Sequence, residues 1–137
     1  AKVDMLGLSL FFILFTWQLP HFIAISFYRG KEYLSAGFPV FPYHVGFSNA
    51  KILATFFSAL LFFSSVILWF LSNVSFFYLY CACFLVFWFL YITVQGFKAI
   101  DNFIWAKKLF FSSLIYQVLL CFSFAADFFV RTMYGNL

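Results

Sequence analysis

Charge is what this chain has least of. Its 137 residues carry eight basic and four acidic side chains, 9% of the total, where soluble domains run near 25%. Together with a mean hydropathy of +1.05, that excludes a soluble domain. The basic residues are scattered singly, with no cluster denser than Lys107-Lys108, so the net charge of +4 is no nucleic-acid footprint, and no nucleic-acid partner is expected. Carboxylates number four, Asp4, Glu32, Asp101 and Asp127. No two of them lie i, i+4 on one helix, so the chain lacks a paired-aspartate metal motif. Cysteines are three, Cys81, Cys83 and Cys121, all inside apolar segments. Cys81 and Cys83 are two apart and would face different sides of a helix, and no Cys-x-x-Cys or histidine partner suggests a metal. Their expected role is that of small buried apolar side chains.

What is present is apolar bulk, 66% of the chain, with 26 phenylalanines spread through every segment, consistent with lipid-facing side chains. Between Lys51 and Lys98 lie 46 residues without a charge. As one helix they would reach roughly 69 Å at 1.5 Å per residue, against a hydrocarbon core of about 30 Å. The run must fold back once, and Ser72-Asn73-Val74-Ser75 is its only polar place to turn. The expected architecture is therefore an all-α membrane protein with four transmembrane helices, at about 5–28, 52–71, 76–97 and 109–126. A long connection at 29–50, punctuated by Gly30, Gly37, Pro39, Pro42 and Gly46, reads as a functional cap. Pro20 removes a helical hydrogen bond and can bend the first span, as in the wall of a cavity. Asp127 and Arg131 form an i, i+4 pair at the close of the last span.

Orientation follows from counting basic residues. Arg29, Lys31, Lys51, Lys98, Lys107 and Lys108 fall on one side, and Lys2 and Arg131 on the other. Six against two puts the 29–50 connection in the cytoplasm or matrix, with both termini opposite.

Most of the titratable chemistry sits around one break. Trp17-Gln18-Leu19-Pro20-His21-Phe22 leads through Tyr28-Arg29-Gly30-Lys31-Glu32-Tyr33 to Ala36-Gly37-Phe38-Pro39-Val40-Phe41-Pro42. On Trp17, Gln18, Pro20, His21, Phe22, Ala24, Tyr33, Ala36, Gly37, Pro39 and Pro42 the stretch resembles the segment joining the sixth and seventh helices of the heme O synthases (protoheme IX farnesyltransferases), within the membrane prenyltransferase superfamily. The likeness is tight over 17–42 and loose over the rest.

The resemblance implies that the chain, residues 1–137, is the C-terminal part of a nine-helix prenyltransferase bundle. It implies farnesyl transfer from farnesyl diphosphate to a vinyl group of heme B, giving heme O for terminal oxidases. Such chemistry needs basic groups and metal to hold the leaving diphosphate, and a dry cavity to shelter an allylic cation. Mg2+ is the implied cofactor, its main ligands lying outside this chain. The implied partners are the N-terminal half of the same enzyme and the lipid bilayer, and the implied setting is the inner (plasma) membrane, or the mitochondrial inner membrane in a eukaryote. This chain alone would be inactive.

Residue by residue, His21 is the candidate catalytic group, contacting heme or handling a proton at its vinyl; a structural, hydrogen-bonded histidine is the alternative. Arg29 and Lys31 are candidate diphosphate donors or else positive-inside anchors. Glu32 stands where the family usually has Asp, one methylene longer, and is the one possible metal contact. Gln18 is expected to orient His21 or to bond a heme propionate, or else to bridge helices. Trp17 reads as packing, and Tyr33 as a substrate contact or an interfacial ring. Three rival readings stand: a four-span scaffold or assembly protein, a quinone-pathway aromatic prenyltransferase, and a cytochrome ligated by His21 and His44. The last is disfavoured by the loop position of His44, just past Pro39 and Pro42.

Overall fold

Five helices and one 3-10 turn make up the computed structural model, which describes residues 4–72 and 74–135, the side chain of Phe41 excepted. They are α1 (Met5–Ser35), the short α2 (Phe41–Val45), α3 (Phe47–Leu71), α4 (Phe76–Val94), a 3-10 turn (Gln95–Lys98) and α5 (Asn102–Tyr134). Among the described residues there is no strand. Four helices are long and apolar enough to cross a membrane: α1, α3, α4 with its 3-10 extension, and α5. Each packs chiefly on two neighbours, α1 on α3 and α5, α4 on α3 and α5, closing a ring of four.

Small and branched residues line the inside of that ring. On α3 they recur as Ala50, Ala54, Ser58, Leu61, Ser65 and Leu68, at helical spacing. On α1 the inner line is Ser9, Ile13, Thr16, Pro20, Ala24, Phe27 and Gly30. In lipid no hydrophobic force pulls helices together, so close backbone approach over small side chains and buried hydroxyls does that work. Ser58 and Thr93 meet at 3.3 Å across α3 and α4. The buried Tyr78 and Tyr116 hydroxyls both approach Ser65 without either closing a well-formed hydrogen bond. Most of the described phenylalanines face outward instead, Phe11, Phe56, Phe63, Phe70, Phe84 and Phe122 among them, as expected of side chains whose solvent is hydrocarbon, while Phe27 and Phe89 are buried.

The helix ends differ from the sequence reading. A first span closing at Tyr28 and a connection over 29–50 were expected, yet α1 continues to Ser35 and most of the remaining connection is α2 and the start of α3. Arg29, Lys31, Glu32 and Leu34 are good helix formers, and nothing stops the helix before Gly37. There the Phe38 N–H donates to the Tyr33 carbonyl at 2.9 Å and Gly37 adopts φ +85°, the left-handed closure that favours glycine. Pro39 then prevents continuation. Half of the 17–42 motif is thus a helix stop. α1 also runs unbroken through the buried Pro20.

The third span, Phe76–Lys98, closes within a residue of the expected Phe97; its last turn, Gln95–Lys98, tightens to 3-10 where Gly96 lies under Trp105, with no room for a Cβ against the indole. The fourth runs from Asn102, capped by the Asp101 carboxylate, to Tyr134, well beyond the expected 109–126. At about 1.5 Å per residue, α1 and α5 overrun a 30 Å core, so their ends carry side chains beyond it. Cys81 and Cys83 are partly exposed and Cys121 exposed, all three free thiols, not the buried packing expected.

The fold-back of the apolar run falls where expected, although Asn73 lies outside the described residues, as does Lys2 of the charge count. Ser75 caps α4 through its hydroxyl, which accepts from the Phe77 N–H at 3.3 Å. The buried Asp127 carboxylate of α5 accepts from both the Ser75 N–H, at 3.1 and 3.2 Å, and the Ser75 hydroxyl. Arg131 Nε lies 2.9 Å from Asp127 Oδ2. The turn between α3 and α4 is thereby tied to α5. Topology reporters fused after Val45 and after Asn102 are expected to read as cytoplasmic, and one after Ser75 as external; a cytoplasmic reading after Ser75 would invert the orientation.

Candidate functional site

The seam between α1 and α5 gathers the polar and aromatic side chains that the 17–42 motif singled out. Trp17, His21 and Tyr28 follow one another on α1 at spacings of four and seven, which keeps them on one face. That face meets Phe110 and Ser113 of α5. His21 is sandwiched: its ring stacks on Trp17 at 4.8 Å and 19°, and on Phe110 at 5.0 Å and 26°. His21 Nδ1 lies 2.6 Å from Ser113 Oγ, and the Ser113 hydroxyl is 2.6 Å from the Phe110 carbonyl. Trp17 Nε1 donates to the Ser113 carbonyl at 2.8 Å. Two α1 side chains thus converge on one serine, and the imidazole is fixed in plane and in rotation. It remains partly exposed.

Above the histidine the stacking continues. Phe110 lies 6.0 Å from Tyr28 at 25°, and Tyr28 lies 5.1 Å from Phe103. Tyr28 opens onto a cleft of 350 Å³ that also holds Lys31, Glu32, Tyr43, Asp101 and Asn102. This is the polar end of the seam. Glu32 is paired with Arg29, whose Nη1 lies 2.9 and 3.1 Å from the two carboxylate oxygens. Both are exposed, so the pair contributes little to stability, but it neutralises Glu32 and leaves Lys31 as the uncompensated charge on that turn. Arg29 also lies over the Tyr28 ring, 5.1 Å from its centroid. Asp101 accepts from the N–H groups of Phe103 and Ile104. Lys51, 9% exposed, donates to Asn102 Oδ1 at 2.6 Å and lies over the Trp105 ring. Gly30 lets α2 close this end, its Cα facing Tyr43 where a Cβ would come within 3.0 Å.

Below the histidine, about 10 Å along the helix axis at seven residues' rise, the seam opens into an apolar cavity of 280 Å³. Leu10, Ile13 and Leu14 of α1 face Leu120 and Phe124 of α5 there, with Tyr78 and Gln117 as its polar groups. His21 therefore stands between an apolar chamber and a cleft that carries charge.

Not every residue singled out joins this seam. Gln18 is exposed and has no hydrogen bond to His21 among the described residues; Ser113 takes the place expected of it. Tyr33 is 46% exposed, and its carbonyl serves the helix stop. His44 is exposed on α2, with no link to His21. The carboxylates do not assemble an ion site: Glu32 is bound by Arg29, Asp101 caps α5, and Asp127 is at the opposite end of the ring. Among the described residues no three groups of metal-binding type come together, so the donor set in this chain does not by itself fit Mg2+. Ser113, Phe110, Tyr43, Asp101 and Asn102 escaped the sequence reading. Ser112-Ser113 is a polar interruption in an apolar span, but no local spacing ties it to a histidine 92 positions away.

The model of the UbiA prenyltransferase family matches residues 2–115. A protoheme IX farnesyltransferase 1 of Bacillus velezensis is 37% identical over 131 residues, covering 96% of this chain and 42% of the relative. The protoheme IX farnesyltransferase of Sorangium cellulosum is 38% identical over 120 residues, 88% of this chain and 43% of the relative. That of Yersinia enterocolitica is 33% identical over 137 residues, 100% of this chain and 46% of the relative. The chain thus spans less than half the length of these curated relatives. No solved structure gives a significant match.

Proposed function

Because the chain belongs to the UbiA prenyltransferase family, we propose that it acts as the C-terminal part of a protoheme IX farnesyltransferase, moving a farnesyl group from farnesyl diphosphate to a vinyl of heme B to form heme O. The observation that carries the reading is the position of His21, held at the α1–α5 seam between an apolar cavity and a charged cleft. An allylic diphosphate has that same division, an isoprenoid tail and an anionic head. The apolar cavity takes the tail and keeps water from the cation. Lys31, with Arg29 beside it, meets the diphosphate oxygens with charge and N–H donors. His21 handles the proton at the vinyl group. Trp17 holds the imidazole in place, while Gln18 and Tyr33, exposed on α1, are left to contact the heme.

The N-terminal half of the enzyme completes the cavity wall. The main carboxylates for Mg2+ are assigned there too, since no more than two of this chain's, Glu32 and Asp101, share a cleft among the described residues, and Glu32 approaches the ion only if Arg29 releases it. The setting is the bacterial plasma membrane, in keeping with the bacterial relatives and four apolar helices.

The test is a chimera in which residues 1–137 replace the matching segment of the Bacillus velezensis relative, expressed in cells lacking their own enzyme. Heme O is expected from the chimera and none from residues 1–137 alone. A folded, membrane-inserted chimera that forms no heme O would refute the assignment, and heme O from the isolated chain would refute its dependence on the other half.

A further inference from the structure

Ser113 has one hydroxyl proton and two neighbours that compete for it. The Phe110 carbonyl, 2.6 Å from Oγ, can only accept. The hydroxyl proton therefore lies in that bond, and Oγ meets His21 Nδ1, also at 2.6 Å, as an acceptor. Nδ1 must then carry the hydrogen. In a neutral imidazole this leaves Nε2 with the lone pair, and Nε2 has no hydrogen-bond partner among the described residues. The Trp17 and Phe110 rings on either face prevent the imidazole from turning over to exchange its two nitrogens.

We propose that Ser113 is a positioning residue that holds neutral His21 as the Nδ1–H tautomer, so that Nε2 is presented as a base. The inference deepens the reading of His21 as the proton-handling group and rests on it for its purpose, though not for its geometry. When an allylic cation adds to a vinyl group, the vinyl π pair becomes the new carbon–carbon bond and a cation remains at the neighbouring carbon. That cation loses a proton, or takes up a water that then sheds one. In both cases the leaving proton needs a lone pair, and Nε2 supplies it, becoming an imidazolium whose Nδ1–H remains on Ser113. With the other tautomer Nε2 would carry a hydrogen and accept nothing.

The experiment reads the tautomer directly. The chain is labelled with 15N-histidine, carries His44→Gln so that a single imidazole remains, and is placed in phosphatidylcholine bilayers at a pH where the ring is neutral. Solid-state 15N spectra distinguish the protonated from the bare nitrogen, and coupling to the ring carbons assigns each. Nδ1 is expected protonated and Nε2 bare. In Ser113→Ala the two should exchange, because Nε2–H is the form free imidazole side chains favour in water, whereas the Trp17 bond to the residue-113 carbonyl survives that change. Ser113→Thr keeps the hydroxyl and should keep the pattern.

A protonated Nε2 with the native serine would overturn the proposal. So would an unchanged spectrum in Ser113→Ala, or an exchanged one in Ser113→Thr. None of these readings needs turnover. The tautomer can therefore stand while normal heme O formation by His21→Ala removes the functional reading, and the reverse can also occur.

Discussion

Replacing His21 by alanine in the chimera is expected to lower heme O formation on the order of 10²–10⁴-fold, the usual range for a general acid–base group. The imidazole is held by Trp17, Phe110 and Ser113, and imidazole is the side chain whose ordinary proton exchange falls nearest neutral pH. Alanine removes the proton carrier and leaves a gap between two rings, so the yield must be taken per folded, membrane-inserted protein. The Trp17 bond to the Ser113 carbonyl does not involve the imidazole and should keep α1 on α5. Two companions separate chemistry from packing. Phe22→Leu, beside the histidine but 49% exposed, should change the rate little. Lys31→Ala should raise the apparent KM for farnesyl diphosphate while largely sparing kcat, because it removes binding present before and during reaction. Normal yield per folded protein from His21→Ala, with less protein in the membrane, would make the histidine structural.

The second large effect lies at the other end of the ring and concerns assembly. Arg131→Met is expected to destabilise the helix bundle by about 3–5 kcal/mol, the cost of leaving a buried partner's charge uncompensated. The Asp127 side chain is 1% exposed and that of Arg131 37%, so removing the arginine strands the carboxylate where water cannot reach it. Ser75 still donates to it through N–H and hydroxyl, but neither donor carries charge. Methionine keeps most of the arginine's apolar stem, so the loss is not one of packing. The double replacement Asp127→Asn with Arg131→Met should recover most of the stability, since a neutral amide oxygen can still accept from Ser75. Denaturant unfolding in detergent micelles gives the comparison. An Arg131→Met midpoint equal to that of the native chain would show that the ion pair does not hold the α3–α4 turn onto α5. A double variant as unstable as the single one would show that the stranded charge is not the cause.

Much of the fold could be read from hydropathy alone, and where it could not the reason is local. Four spans follow from the length of uncharged apolar runs against the bilayer, a constraint that needs no knowledge of packing. The ends of α1 and α5 do not follow, because Arg29 to Ser35 and Asn102 to Lys108 are polar enough to leave the membrane and helix-prone enough to remain helical. The cysteines were placed inside on composition, but which face of a uniformly apolar helix turns inward is not marked by polarity. It is set by the small residues that let backbones approach.

The chain's own sequence determined four helices long and apolar enough to cross a membrane, and it marked out the stretch proposed to carry its chemistry. Apolar run length, the Pro-His break and the Gly37–Pro39 stop are all properties of neighbouring residues. It also supplied Asp127 and Arg131 one helical turn apart. Only the tertiary structure decided what those residues face. That Ser113 and not Gln18 holds His21, that Lys31 shares a cleft with Asp101 and Asn102, and that Asp127 anchors Ser75 across 52 positions depend on how four helices turn about their axes when they close a ring. That rotation is a compromise among all the inner faces at once, and no single stretch of the chain contains it.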